Sequence, residues 1–181
     1  MTRGAGLSRA ASALQVPSAE VLQHDLKGAA ELIARKGARR WGAQPAAAGE
    51  PVVANAVAFA RENEHTVLIY ATSTPDEVKA VQQQLGVERA GTLVENALGE
   101  IAQALRESGV RRFVVAGGET SGAVVKALGV QLLHIGAQID PGVPATVSDT
   151  QEPLALALKS GNFGGRDFFA KALKQLAGGA Q

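Results

Sequence analysis

Two glycine-rich segments carry the residue types that could do chemistry in this sequence. The first, residues 117–122, reads Gly-Gly-Glu-Thr-Ser-Gly and joins an apolar run to a helix predicted over residues 123–128. A strand that passes through glycines into a helix N-terminus offers backbone N–H groups to an anion, because the first N–H groups of a helix have no internal partner. The segment therefore predicts a phosphate site. The alternative is an ordinary strand-to-helix turn with a Ser or Thr cap.

The second segment, residues 159–165, reads Lys-Ser-Gly-Asn-Phe-Gly-Gly and follows another apolar run. Lys159 would place a positive charge near a phosphate, Gly161 would let the backbone approach a ligand, and Asn162 offers both a donor and an acceptor. A loop with a surface lysine is the alternative. Because the carboxyl ends of parallel strands meet at one edge of a sheet, we expect both segments at that edge.

Other candidate groups are weaker. The first segment lacks the lysine of a P-loop and the spacing of the dinucleotide fingerprint. Glu119 could meet magnesium through water, and Asp140 could contact magnesium or ribose. The alternatives are a solvated carboxylate for Glu119 and simple turn chemistry for Asp140, since residues 139–144, Ile-Asp-Pro-Gly-Val-Pro, predict a rigid turn.

No catalytic residue can be identified from the pattern, and no protein metal site is predicted. His24, His65 and His134 are far apart in the sequence, and His134, within an apolar run, is predicted to be a core residue. There is no Ser/His/Asp arrangement and no pair of carboxylates typical of general acid–base catalysis. A phosphate-binding hydrolase is therefore the least favoured function.

Composition excludes several classes of function. The 181 residues are enough for one domain with a real core, and because hydrophobic residues make up 46% but aromatic residues only 4%, that core must be mostly Ala, Val, Leu and Ile. The net charge is +1 and the basic residues are scattered, so neither a nucleic acid nor a membrane is predicted as a partner. The chain has no cysteine, which excludes disulfides and fits a reducing cytoplasm.

Strands alternating with helices after residue 50 predict an α/β fold: a doubly wound, mainly parallel sheet flanked by helices, forming a single domain over residues 50–181. Strands are predicted at 66–70, 113–116, 131–135 and 154–158, and helices at 51–63 and 166–176. Capping boxes at Thr74 and Thr92 predict two further helices, which end near Gly86 and Gly109. Residues 1–49, with a loosely amphipathic run at 19–38 and a linker-like stretch at 42–49, are expected to be divergent, peripheral or poorly ordered.

Three ordered motifs resemble the C-terminal nucleotide-binding domain of the four-carbon acid sugar kinase family, whose best-known members are the 3-oxo-tetronate kinases. They are residues 114–123, residues 139–144, and residues 158–165 followed by Asp-Phe-Phe at 167–169. The resemblance covers roughly residues 50–173. It implies transfer of the γ-phosphate of ATP to a hydroxyl of a four-carbon sugar acid in carbohydrate metabolism, with Mg²⁺ accompanying the nucleotide. The residues it implies for nucleotide binding are Gly117, Gly118, Glu119, Thr120, Ser121, Gly122, Ser160, Gly161 and Asn162.

Two family features are not found in the sequence. One is the substrate-binding domain with its Asp-Asp-x-Thr-Gly motif, and the other is a Gly-Ser-Cys-Ser segment, whose nearest match around Ser8 lacks the cysteine. We therefore expect the chain to bind ATP or ADP weakly and to have no kinase activity alone, the sugar acid being bound by a missing or separate domain. The alternative is a non-catalytic α/β binding or interaction module derived from this family. The sequence leaves homo-oligomerisation open.

Overall fold

A computed structural model describes residues 10–15, 38–40, 51–63, 66–71, 75–161 and 163–178. The strands within these residues are β1 Ala10–Gln15, β2 Ala38–Arg40, β3 Val67–Tyr70, β4 Arg112–Ala116, β5 Leu133–Asp140, β6 Val143–Ser148 and β7 Ala155–Lys159. The helices are α1 Val52–Glu62, α2 Pro75–Leu85, α3 Val87–Glu107, α4 Gly118–Ala127 and α5 Phe168–Ala177. None of these helices has both the length and the apolar character needed to cross a membrane.

The strands form one mixed sheet in the order β2-β3-β1-β4-β7-β6-β5. The first five strands in this order, β2, β3, β1, β4 and β7, pair in parallel. Strand β6 is antiparallel to both of its neighbours, β7 and β5. The predicted α/β class is confirmed, but the parallel arrangement stops at β7. The stretch predicted as a rigid turn instead contains the ends of β5 and β6 around a turn at Pro141 and Gly142. Strand β6 was missed because Pro144 has no N–H to donate and argues against a strand.

Helices cover both faces of the sheet, as β4 illustrates. Phe113 and Val115 belong to one buried cluster, and Val114 and Ala116 belong to the other, because successive side chains of a strand point to opposite faces. The first cluster includes residues of α1, α3 and α4, and the second includes residues of α5. Full burial of a side chain such as Phe113 contributes about 2–3 kcal/mol. A continuous apolar run therefore suits a strand in the middle of a two-sided core.

Part of the first 49 residues lies inside the sheet. Strand β1 pairs in parallel with β3 on one side and with β4 on the other, and β2 pairs with β3. Neither strand is predicted from the sequence, and the interior position of β1 differs from the expectation of a peripheral segment. Most of the helix predicted at 19–38, the linker at 42–49 and Ser8 lie outside the described residues. The domain boundary at residue 50 stays a prediction.

The helix boundaries follow the predictions in part. Helix α2 begins at Pro75 and ends before Gly86, as expected, although its predicted cap, Thr74, lies outside the described residues. The capping box at Thr92 is wrong, because α3 already begins at Val87. Within that helix the Thr92 hydroxyl donates to the Glu88 carbonyl at 2.9 Å. A threonine hydroxyl can bond to the carbonyl one turn earlier, so a capping pattern alone does not fix the start of a helix.

Candidate functional site

A single glycine turns the chain from β4 into α4. Gly117 has φ 115° and ψ 129°, a conformation that favours glycine, and α4 begins at the next residue, Gly118. The helix therefore starts five residues before the predicted position at Ala123. Glutamate, threonine and serine suit the first turn of a helix, where acidic side chains face the positive end of the dipole. The predicted turn is thus Gly117 followed by the first residues of α4.

The two glycine-rich segments lie side by side, as the sequence predicted. Ala116 and Lys159, the last residues of β4 and β7, are register partners in the parallel sheet. The Gly117 N–H donates to the Lys159 carbonyl at 2.7 Å. A Cβ placed on Gly118 would lie 3.3 Å from the Ser160 Oγ. The start of α4 and the loop after β7 therefore form two walls of one site.

The N-terminus of α4 is suited to hold an anion. The N–H groups of Gly118, Glu119 and Thr120 have no acceptor within an α-helix, and no side chain caps this end. Gly118 and Glu119 are exposed, as are Ser160 and Gly161 on the facing loop. The helix dipole adds a partial positive charge at this point. A phosphate can therefore reach the N–H groups of Gly118 and Glu119 from solvent, whereas Thr120 is buried.

Two hydroxyls at the same helix end lack partners. The Oγ1 of Thr120, a residue that is 0% exposed, and the Oγ of Ser121 are both buried without a hydrogen bond in the described part of the chain. Neither caps α4, so the Ser or Thr cap considered from the sequence is wrong, and Gly117 occupies the cap position. Buried polar groups in native proteins are nearly always paired. A ligand with acceptor oxygens is one group that could supply the missing partner.

The burial of Lys159 excludes one of its two predicted roles, that of a surface lysine in a loop. Lys159 is the last residue of β7 and only 2% exposed, so it is not a surface lysine. Its ammonium donates to the Gly161 carbonyl at 2.9 Å, and the Phe163 N–H donates to the Ser160 carbonyl at 3.2 Å. Both bonds shape the loop that starts at Ser160. The remaining predicted loop residue, Asn162, lies outside the described residues.

Asp140 serves the same loop from the neighbouring hairpin. Its buried carboxylate accepts the Gly165 N–H at 2.9 Å and the Lys171 ammonium at 2.9 Å. The Lys171 hydrogen bond, followed by the Gly165 bond, lowers the pKa of Asp140 below its ordinary value. Hydrogen bonds to Asp140 and to Asp167 raise the pKa of Lys171. The carboxylate is thus engaged by protein donors. Sequence reasoning could not find this role, since its partners are 25 and 31 residues away.

No three His, Asp or Glu side chains cluster as a metal site among the described residues. A nucleotide-bound Mg²⁺ takes most of its ligands from phosphates and water, so such a cluster is not required, and Glu119 is an exposed carboxylate at this edge. His134 is not a core residue. It lies exposed on the edge strand β5, where its Nε2 is 3.8 Å from Asp149 Oδ1. His24 and His65 lie outside the described residues.

Comparison with known proteins matches the whole region that contains the site. Residues 42–169 match the model of the family described as the nucleotide-binding C-terminal domain. A 3-oxo-tetronate kinase of Pseudomonas fluorescens is 84% identical over 133 residues, which are 74% of this chain and 31% of that protein. A 3-oxo-tetronate kinase of Burkholderia multivorans is 71% identical over 136 residues, which are 75% of this chain and 32% of that protein.

A solved structure has the same fold. The crystal structure of a Haemophilus influenzae protein of the DUF1537 family matches with a TM-score of 0.75 and 33% identity, covering 92% of this chain and 40% of that one. The chain thus spans 31% of the length of a curated relative and 40% of that solved chain. Both glycine-rich segments lie within residues 42–169.

Proposed function

This chain belongs to the four-carbon acid sugar kinase family as its nucleotide-binding C-terminal domain, and from that premise we propose that it binds ATP, with Mg²⁺, for transfer of the γ-phosphate to a hydroxyl of a four-carbon sugar acid. The observation that carries the proposal is the uncapped N-terminus of α4, which faces the loop after β7. An exposed, uncapped helix end beside a glycine loop has the donors that a polyphosphate requires.

In this proposal the phosphates lie between the two walls. The N–H groups of Gly118, Glu119 and Thr120 donate to phosphate oxygens, and the hydroxyls of Thr120 and Ser121 gain the partner they lack in the described part of the chain. Gly117 and Gly122 leave the backbone uncovered on either side. Ser160, Gly161 and Asn162 contact the nucleotide from the facing loop, and Glu119 meets Mg²⁺ through water.

Phosphoryl transfer depends mainly on positioning and on electrostatic stabilisation. Bound Mg-ATP would supply the phosphoryl group, and the positive charge of its Mg²⁺ would neutralise the phosphate oxygens. The residues of this chain fix the donor end of the reaction. Because the chain spans 31% of the length of a curated relative, we propose that the acceptor hydroxyl is aligned by a substrate domain that is not part of these 181 residues. The chain alone then binds nucleotide without turning it over.

Gly118→Val tests the phosphate site. Gly118 lies in a helix, so valine fits the backbone there, but its Cβ would lie 3.3 Å from Ser160 Oγ and its methyl groups would fill the space between the walls. We expect the wild-type chain to bind Mg-ATP in calorimetry and Gly118→Val to bind at least about tenfold more weakly, a loss of about 1.4 kcal/mol. Its melting temperature should change no more than that of the control.

The matched control is Gly91→Val in α3. This glycine is also helical and exposed, and a Cβ there would meet only Glu95 Oε1 at 3.8 Å. The control should bind nucleotide as the wild type does. Equal affinity in Gly118→Val and Gly91→Val would contradict the site, and no binding by the wild type would favour the non-catalytic module. In a coupled assay with four-carbon sugar acids, robust turnover by the 181-residue chain would contradict the need for a separate acceptor domain.

A further inference from the structure

The β5–β6 hairpin contacts the loop after β7, which begins at Ser160, at two points. Asp140, at the end of β5, accepts the Gly165 N–H at 2.9 Å. Gly142, in the hairpin turn, lies directly under the Phe163 ring, since a Cβ on Gly142 would come within 2.7 Å of two ring carbons. We call these two contacts the hairpin latch. The latch holds the far end of the loop that begins at Ser160.

The charge of the buried Asp140 carboxylate, which also pairs with the half-exposed Lys171, strengthens the first of these contacts. The Asp140 side chain is 8% exposed, and its other oxygen accepts the Lys171 ammonium at 2.9 Å. Lys171 lies on α5 and also contacts Asp167 at 3.0 Å. Hydrogen bonds to charged groups are roughly twice as strong as neutral ones. One carboxylate therefore connects the hairpin, the loop and α5.

The near end of the loop is fastened independently. The Lys159 carbonyl accepts the Gly117 N–H at 2.7 Å, which joins the loop to the start of α4. Between these two ends, Ser160 and Gly161 are exposed, and the Ser160 Oγ lies beside Gly118 at the start of α4. A binding loop that is already ordered saves the ligand the entropy of ordering it, and a loop that is ordered only part of the time weakens the apparent affinity in proportion.

We propose that Asp140 is a positioning residue for nucleotide binding. Together with Gly142, it holds the described loop residues 160–161 and 163–165 in place before the ligand arrives, so that Ser160 stays beside α4. Asp140 touches neither nucleotide nor substrate in this scheme and acts through Gly165. The inference rests on the proposed function, because it assigns a role in the same nucleotide site. It makes the antiparallel hairpin part of the binding machinery.

A graded series of variants tests the positioning role. Asp140→Asn keeps an acceptor for the Gly165 N–H but loses the negative charge, and Lys171→Met removes the positive partner of the ion pair. Asp140→Ala removes the hydrogen bond to Gly165 and the ion pair with Lys171 together. We expect the Kd for Mg-ATP to rise about threefold in the first two variants and about tenfold in Asp140→Ala, as expected if the loop is ordered in one third or one tenth of the molecules. Calorimetry on the full chain measures these values.

Hydrogen exchange separates positioning from simple stabilisation. Without nucleotide, the Gly165 amide should exchange slowly in the wild type and faster across the series, in the same order as the Kd values rise. The control is Glu152→Gln, which breaks an exposed ion pair with Arg111 near the opposite ends of β4 and β7 and should change neither quantity. Should Asp140→Ala not fold, Asp140→Asn and Lys171→Met still give the comparison.

Two results would overturn the inference. Variants that exchange faster at Gly165 yet bind Mg-ATP with the wild-type Kd would show that the latch only stabilises the fold. Variants with unchanged exchange at Gly165 would show that Asp140 does not hold the loop. Absence of Mg-ATP binding by the wild type would instead refute the proposed function, and the positioning role with it. The exchange data would still report on the latch in that case.

Discussion

Thr120 and Thr146 are two buried threonines in opposite situations. The Thr146 hydroxyl donates to the Leu156 carbonyl at 3.0 Å, whereas the Thr120 hydroxyl has no partner in the described part of the chain. Leaving a buried hydroxyl unpaired costs about 1–3 kcal/mol. We therefore expect the unpaired Thr120 hydroxyl to lower the stability of the nucleotide-free chain and the paired Thr146 hydroxyl to raise it. Under the proposed function, a phosphate oxygen would supply the partner that Thr120 lacks in the described part of the chain.

Replacing each threonine by valine should consequently have opposite effects on stability. Thr120→Val should raise the free energy of unfolding of the nucleotide-free chain by about 1 kcal/mol, or the melting temperature by about 2–4 °C, while weakening Mg-ATP binding about tenfold. Thr146→Val should lower stability by about 1 kcal/mol. Thermal melts and calorimetry measure both quantities. A loss of stability in Thr120→Val would indicate that the hydroxyl has a partner in the free protein.

Among the elements, α4 owes its position to close packing against α3. A Cβ on Gly99 of α3 would lie 3.2 Å from the Cβ of Ala127 and 3.4 Å from the carbonyl oxygen of Ala123, both on α4. Gly99 is buried, so a larger side chain cannot turn into solvent there. The helix whose N-terminus is the proposed anion site is thus held by a backbone contact about a turn from its far end.

Gly99→Leu should push α4 away from α3. Overpacking of this kind costs about 1–3 kcal/mol of stability, and displacement of α4 should also weaken nucleotide binding, since a shift of its N-terminus alters the gap to Ser160. Urea unfolding and calorimetry on the same samples give both numbers. Gly91→Leu, at an exposed position of the same helix, controls for the loss of glycine. If Gly99→Leu is destabilised but binds Mg-ATP with the wild-type affinity, then the contact between α3 and α4 does not affect nucleotide binding.

The elements that the sequence predicted are those with strong local signals. Strands β3, β4 and β7 each contain a continuous apolar run, and each of their predicted bounds lies within one residue of the bound in the structure. Strand β1, Ala-Ala-Ser-Ala-Leu-Gln, has little β-propensity of its own, and its strand state depends on its two parallel neighbours. Strand β6 was hidden by Pro144. A local sequence pattern therefore predicts only strands with a strong preference of their own. Strands such as β1 and β6 form because they pair with other strands of the sheet.

The same distinction applies to the site. The two glycine-rich segments were visible because each has its own composition, and their shared edge followed from parallel pairing. The roles of Lys159 and Asp140 were not visible, because they depend on burial and on hydrogen bonds to the Gly161 carbonyl and the Gly165 N–H. The residue type alone does not indicate whether a charged side chain is exposed to solvent or hydrogen-bonded to the backbone.

At the scale of the whole molecule, the ion pair between Asp140 and Lys171 connects the antiparallel hairpin to α5, which covers one face of the parallel strands. Lys171 also contacts Asp167, and the Gly165 N–H completes the charged and polar groups around Asp140. The pKa of Asp140 is lowered, chiefly by the Lys171 hydrogen bond, and the pKa of Lys171 is raised, chiefly by Asp140. The stability of the chain should therefore depend on pH through this pair.

The directions of the two pKa shifts determine where in the pH range each group stabilises the fold. The Asp140 contribution is present above the unfolded pKa of about 4 and is lost as pH falls through the lower folded pKa. The Lys171 contribution is present below about pH 10.4 and is lost as pH rises through the higher folded pKa. The stability difference between wild type and Asp140→Asn should be largest between about pH 5 and 9. Urea unfolding across pH measures it, with Glu152→Gln as control. A difference that persists unchanged at pH values far below 4 would contradict the assignment.

The central position of β1 has a consequence for the order in which the protein can be assembled during synthesis. The ribosome makes residues 10–15 before either neighbouring strand, β3 at residues 67–70 or β4 at residues 112–116. Strand β1 thus cannot have both partners until more than half of these 181 residues have been translated. In contrast, β5, β6 and β7 are consecutive and can pair as soon as they emerge. A nascent chain must therefore leave at least one edge of β1 unpaired until β4 has been translated.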